Sequence, residues 1–358
     1  MENKKLKVLY IFSKETKPLE EMWKAGEMPD TYLLGLNHLK DFDVDAEYIE
    51  TDYINKWRKY NVNLSAFPLF FKIRKYDVVF SEGSLFFPFI YKFILRFKKP
   101  KFVWYNTFFT NIIKKNSGFK RDLIVETIKS LDGIACPSKI QHDFLLEWGV
   151  KPEKLFLVSN GVDVDFIQKE QAKMDLEEEN GGEDYILSVG TEGKRDYNTL
   201  IEAVKKLNLK VKIVAMPRKL KNENRVSSHF VDFTGPVPFN KLLKYYKDAK
   251  FVVIPTKNED TLDVSDCLGQ YVLLDSIASG KPVIASKRMS LDDYVQDKKD
   301  VVLVDPENSE DLQSAIELLI NSPELVKTLQ KNMDVKSMKF TTENFARQLA
   351  VIFKKVIY

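Results

Sequence analysis

Short apolar runs alternate along this chain with longer stretches in which apolar positions recur every three or four residues. Runs at 7–12, 44–49, 76–80, 102–105, 133–136 and 155–158 predict buried strands. Between them, Asp30 can cap a helix over 31–39 with Leu33, Leu34, Leu36 and Leu39 as its apolar face. Further helices are predicted at 87–97, at 121–131, and from Ser138 to a stop at Gly149. Residues 168–184 are polar and acidic with a glycine pair, and predict a linker. A second series then begins, with strands at 185–189, 211–214, 231–233, 251–255, 282–285 and 301–304. Its helices fall at 197–207, 241–247, 271–279, 309–320 and 323–332, and a last helical pattern covers 342–357. Strand–helix alternation of this kind predicts an α/β fold with parallel sheets covered on both faces. Two series predict two Rossmann-like domains, 1–167 and 185–335, with a closing helical segment at 336–358. A chain of 358 residues is long enough for two cores.

Composition adds a compartment and a surface. The two cysteines, Cys136 and Cys267, fall in different predicted domains, which suits a reducing cytoplasm. Residues 1–12 lack a signal-peptide cleavage pattern, and no apolar run is long enough to span a bilayer, so a cytoplasmic protein is expected. The formal net charge is only +3, but it is unevenly spread. Between residues 53 and 130 the only acids are Asp77, Glu82, Asp122 and Glu126, against many lysines and arginines interleaved with aromatic residues. Such a span suits either docking on an anionic membrane, peripherally, or a core of aromatics solvated by lysines. No nucleic-acid motif accompanies the charge.

Candidate chemistry concentrates in residues 250–286. A buried strand leads into a loop carrying Glu259, Asp260, Asp263 and Asp266, then Leu268-Gly269-Gln270 opens a helix that includes Tyr271 and Asp275. Gly280-Lys281-Pro282 ends it. The helix N-terminus at the carboxyl edge of a parallel sheet favours a phosphate or diphosphate, and Asp275 is placed to accept hydrogen bonds from sugar hydroxyls. An ordinary strand–helix–strand unit with a solvated acidic loop fits the same residues. The loop after strand 185–189 holds Gly190 and Gly193, followed by Lys194 and Arg195. Two cations at a helix start oppose the macrodipole, so an anion is expected beside them. The turns Met216-Pro217-Arg218 and Gly235-Pro236-Val237-Pro238 belong to the same predicted edge. His38, His142 and His229 read as structural, and no cluster has metal-ligand spacing.

These stretches resemble the GT-B glycosyltransferases, specifically the retaining family 4. In that family an acidic residue, seven others and a second acidic residue precede G-x-P-V-I-A; here Asp275 and Ser279 to Ala285 match the second acid and the tail. At the first acidic position stands Cys267, with Asp266 one residue out of register and Asp263 within reach. A second match runs from Pro137-Ser138 through Gly149-Val150 and Lys154 to Asn160-Gly161-Val162-Asp163 and Phe166. In the phosphate loop Thr191 occupies the family's arginine position, and Lys194 or Arg195 its lysine position. Val237 lies in a turn like the one that contacts the base. Asn106 and Thr107 stand where many members carry an acceptor-side histidine.

The resemblance implies a GT-B fold, with two domains facing a central cleft and a C-terminal helix crossing back to the first. It implies metal-independent, retaining transfer of a hexose from a UDP- or GDP-linked sugar to a glycan or lipid-linked acceptor, with no cofactor. Catalytic roles fall to Lys194, Arg195 and Asp266. Donor contacts fall to Gly190, Thr191, Val237, Asp263, Leu268, Gly269, Gln270, Tyr271 and Asp275, and acceptor contacts to Asn106 and Thr107. The departures keep two other readings open, a non-catalytic binding subunit and a nucleotide-sugar epimerase on the same fold.

Overall fold

The computed structural model describes residues 5–13, 15–49, 72–83, 85–177, 185–190, 195–216, 229–258, 267 and 269–358. The chain forms two compact units. One comprises Met1–Gly26, Asp30–Gly161 and Thr342–Tyr358; the other comprises Glu27–Pro29 and Val162–Thr341.

In the first unit, six strands form one parallel sheet in the order β2-β1-β3-β4-β5-β6. They are β1 (Leu6–Ile11), β2 (Val44–Ile49), β3 (Val78–Ser81), β4 (Lys101–Tyr105), β5 (Gly133–Cys136) and β6 (Leu155–Leu157). The central strands are buried on both faces, which is why their sequences read as unbroken apolar runs. The helices of this unit are α1 (Lys17–Lys24), α2 (Phe86–Phe89), α3 (Phe109–Lys115), α4 (Gly118–Ser130) and α5 (Lys139–Glu147). Phe102, Trp104, Ile113, Ile128 and Leu145 fill the core on one face of the sheet. The other face is closed by the chain's last helix, α12 (Thr342–Ile357), whose Phe345, Ala346, Leu349 and Phe353 are buried there. The Phe353 ring meets those of Phe80 and Tyr10 at 5.5 and 6.5 Å.

The second sheet is also parallel, in the order β12-β11-β10-β7-β8-β9. Its strands are β7 (Ile186–Val189), β8 (Val211–Val214), β9 (Val231–Thr234), β10 (Val252–Ile254), β11 (Val283–Ser286) and β12 (Val302–Val304). Helices α6 (Val164–Glu177), α7 (Tyr197–Lys206), α8 (Phe239–Asp248), α9 (Gln270–Ala278), α10 (Ser309–Asn321) and α11 (Pro323–Ser337) cover it. The winding reverses between β7 and β10, and this is where a doubly wound sheet opens a crevice at its carboxyl edge.

Three local expectations come out differently. The helix expected over 31–39 is two 3-10 segments, Asp30–Leu33 and Leu36–Phe42, separated by Leu34 and Gly35 at φ 48° and 73°. A Cβ on Gly35 would lie 2.8 Å from Cβ of Ala346, so the approach of α12 sets the break. Residues 168–177 of the expected linker continue α6, because Ile167 is buried in the second core, Met174 packs on it, and Lys247 pairs with Asp175 at 3.1 Å. The expected helix at 87–97 is α2 running into a π-helical turn, Ile90–Ile94.

Candidate active site

The crevice between β7 and β10 is built around Arg195. Its backbone forms an isolated antiparallel bridge to Thr256, just past β10, so the residue after the β7 loop is fixed to the neighbouring strand. Its side chain is 4% exposed and lies against two glycines. A Cβ on Gly190 would overlap it, with Cγ and Cδ only 3.0 Å away, and a Cβ on Gly269 would stand 3.1 Å from Nη1. Gly269 has φ +85°, so its lack of a side chain serves both the turn into α9 and the close approach of the guanidinium. The Gly190 carbonyl also accepts a 2.7 Å bond from the Tyr197 hydroxyl, which holds the loop end to α7.

Asp196 caps α7, accepting from the Thr199 backbone N–H at 3.4 Å and its hydroxyl at 2.5 Å. The positive end of that helix is therefore met by Asp196, while Arg195 turns toward the crevice. The expectation of an anion now rests on the position of Arg195 rather than on charges opposing a helix dipole.

On α9, Gln270 is fully buried and donates to the Ser290 carbonyl at 3.0 Å, tying the helix start to the turn Met289–Leu291 after β11. Tyr271 and Asp275 are half-buried and one turn apart, hence on one face of α9. Burial pushes the Asp275 carboxyl up to about 7, so near neutrality it exchanges between a hydrogen-bond donor and an acceptor. Lys281, just past the helix, donates to the carbonyls of Lys247 and Ala249 at 2.5 and 3.0 Å; it anchors the helix end.

Two matches with known families follow the division of the chain. Residues 183–322 match Glycosyl transferases group 1, and residues 43–166 match Glycosyltransferase Family 4. The second half of the chain is thus similar to the group 1 glycosyltransferases, and the first half to Glycosyltransferase Family 4. An uncharacterised glycosyltransferase of Methanocaldococcus jannaschii is 26% identical over 252 residues, covering 68% of this chain and 66% of the relative. Alpha-monoglucosyldiacylglycerol synthase of Streptococcus pneumoniae is 27% identical over 244 residues, covering 62% of this chain and 52% of that enzyme. The chain thus spans from half to two thirds of the length of these relatives. Anabaena HepE, crystallised with UDP, shares the fold at a TM-score of 0.68 and 14% identity over 97% of this chain and 99% of its own. A glycosyltransferase from Rickettsia africae does so at 0.69 and 14% over 99% of each. The fold is GT-B.

Of the donor-side residues expected from the resemblance, Gly190, Arg195, Gly269 and Gln270 meet at one edge, with Tyr271 and Asp275 following on α9. Val237 lies on the turn between β9 and α8 and packs partly against the second core. Thr191, Lys194, Asp263, Asp266 and Leu268 lie outside the described residues. On the acceptor side, Asn106 follows β4 and is fully buried. Its Oδ1 accepts from the Phe109 N–H at 3.0 Å, and its carbonyl accepts from Gln141 Nε2 at 2.8 Å. Its Nδ2 and the buried Thr110 Oγ1 have no hydrogen-bond partner among the described residues. Thr107 is half-buried beside it.

The structure adds residues that sequence reasoning passed over. Thr256 donates its backbone N–H to Ser286 Oγ at 2.9 Å, while its own buried hydroxyl, like that of Ser290, has no partner among the described residues. Arg288, 5% exposed, follows β11 at the same edge. Its signal was available: Lys287-Arg288 trail a predicted strand as Lys194-Arg195 do. A recess farther along, lined by Asp196, Pro255, Ser286, Asp305, Glu307 and Asn308, is acidic and unsuited to an anion. In the first unit Ser13 donates to Glu82 at 2.7 Å where the winding reverses between β1 and β3. No spacing signals that pair, since only the placement of β3 beside β1 joins them.

Proposed function

We propose that the protein is a retaining glycosyltransferase that moves a hexose from a nucleoside diphosphate sugar, UDP- or GDP-linked, to a glycan or lipid-linked acceptor without a metal. The observation that carries the reading is Arg195, seated where the sheet's winding reverses and packed against Gly190 and Gly269. A fixed guanidinium in a site of low dielectric stabilises charge as it develops and needs little reorganisation to do so. In this reading Arg195, with Lys194, holds the diphosphate, and Asp275 takes hydroxyls of the sugar or ribose. The bond from the anomeric carbon to phosphate oxygen breaks as a bond to the acceptor oxygen forms on the same face. The acceptor's proton passes to the departing phosphate oxygen, so no protein base is required. On the acceptor side the reading assigns Asn106 and Thr107, with Glu82 at the switch point of the first sheet. Support for a hexose and for uridine comes from relatives: one is named a monoglucosyldiacylglycerol synthase, and HepE was crystallised with UDP-glucose.

Thermal melting with UDP, GDP, ADP and CMP, then with their sugar conjugates, tests the donor side. A ligand that binds the native state raises the midpoint with its occupancy. One diphosphate is expected to do so, and NMR of the product formed from its sugar is expected to show retained anomeric configuration. No shift with any nucleotide overturns the donor assignment. An inverted product, or an epimerised sugar without transfer, overturns the mechanism.

A further inference from the structure

In the first unit, α2 runs into the Ile90–Ile94 π-turn and packs on α4. The inner side of this pair is core, with Tyr91, Val125 and Ile128 buried. The outer side is not the polar face that a solvated helix pair presents. Phe93, Ile94 and Leu95 are consecutive and are 40%, 59% and 40% exposed, and Phe119, at the start of α4, is 82% exposed. Runs of exposed apolar residues are selected against unless something covers them.

Most of the charge around these residues is positive; the exposed acids of α4 are Asp122, 3.7 Å from Arg121, and Glu126, 2.9 Å from Lys129. From residue 85 to residue 121 the chain contains no acid. Arg96, Lys98, Lys99, Lys114, Lys115 and Lys120 are exposed. Lys92 and Lys101 share Asp132 at 2.8 and 3.1 Å and are less exposed than the flanking lysines. Arg96, Lys98, Lys99 and Lys120 form no ion pair among the described residues. The surface therefore pairs a row of aromatic and aliphatic side chains with flanking long cationic ones. Lysine and arginine stems can lie along apolar surface while their heads reach a negatively charged layer. A nucleic acid would meet the cations but would leave Ile94 and Leu95 without stacking partners.

We propose that this strip docks the first unit on an anionic lipid bilayer, with Phe93, Ile94, Leu95 and Phe119 in the headgroup–acyl boundary and Arg96, Lys98, Lys99 and Lys120 at phosphate level. This geometry is that of an interfacial element lying in the membrane plane. Among the described residues no helix is long and apolar enough to cross a membrane. The inference stands apart from the transferase reading, because it uses no residue of the crevice around Arg195.

Flotation of the full chain with vesicles of phosphatidylcholine, alone or mixed equally with phosphatidylglycerol, tests it. The chain is expected to float with the anionic vesicles only, and raised salt is expected to release most of it. Lys98→Glu with Lys99→Glu is expected to weaken partitioning about tenfold or more. Ile94→Ser with Phe119→Ser is expected to remove what binding survives salt. Val335→Ser with Val351→Ser, at exposed apolar positions elsewhere in the chain, serves as the control and is expected to float like the parent. Absence from the anionic vesicles, equal binding to neutral ones, or undiminished flotation of the charge-reversed variant overturns the proposal. Nucleotide-induced stabilisation measured on the same variants is expected to be unchanged, which separates this test from that of the donor site.

Discussion

Arg195 and the two glycines against it set the tolerance of the sheet edge proposed to hold the donor. Gly190→Ala would drive a Cβ into the arginine side chain, and overpacking of this kind costs about 1–3 kcal/mol. The expected outcome is a melting point several degrees lower and at least a tenfold loss of nucleotide-induced stabilisation, read in one titration of the variant. Asp275 gives a prediction in pH. Its carboxyl ordinarily titrates near 3.8 and is raised to about 7 in the folded protein, so the native state binds more protons than the unfolded state between those values. Stability from this group is therefore fully present at low pH, falls as pH rises through that window, and levels off above about 7. Asp275→Asn removes the titration. Melting curves from pH 4 to 8 are expected to show the variant gaining on the parent as pH rises; a constant difference would refute the assignment. At this scale the sequence picks out candidate residues but not their states. Arg195 and Asp275 are identified by their neighbours along the chain, whereas the burial of the guanidinium and the raised carboxyl pKa arise from β10, α9 and the second core.

Helix and strand identity follow local pattern except where a distant element intervenes. The run 342–357 writes its own helix, with apolar positions at helical spacing and buried Phe345, Leu349 and Phe353 along one stripe. Residues 31–39 carry a similar leucine pattern yet form two 3-10 segments, because the backbone at Gly35 yields to Ala346. Gly35→Ala is expected to destabilise the chain by about 2 kcal/mol or more, from left-handed strain and overlap together. Adding Ala346→Gly is expected to recover the overlap part and leave the strain part. Urea denaturation of the single and double variants checks this, and strict additivity would exclude contact as the cause. The later turns of α6 show the opposite failure. Residues 168–177 look like solvated linker because their composition is acidic, but one apolar residue every two turns, as with Ile167 and Met174, suffices when the core receives it.

For the whole molecule, the first unit depends on a segment that follows the entire second unit in sequence. Removing residues 342–358 would uncover Tyr10, Phe80, Val103 and Tyr105, all buried in the parent. Hydrogen exchange on the truncated chain is expected to accelerate across β1, β3 and β4 and to leave β7, β8, β10 and β11 protected; uniform loss would show that the two cores unfold as one. Local pattern is enough for the order and type of nearly every element, because strands buried on both faces must be apolar throughout and covering helices must carry one apolar stripe. The same local reading carries the resemblance to glycosyltransferases, through Asp275 with Ser279 to Ala285 and through Asn160 to Asp163. Which strands lie side by side is set by long-range packing and is not written in any local pattern. That choice brings Gly190, Arg195, Thr256 and Gly269 to one edge and Ser13 to Glu82 at another, since hydrogen bonding between strands is blind to their separation along the chain.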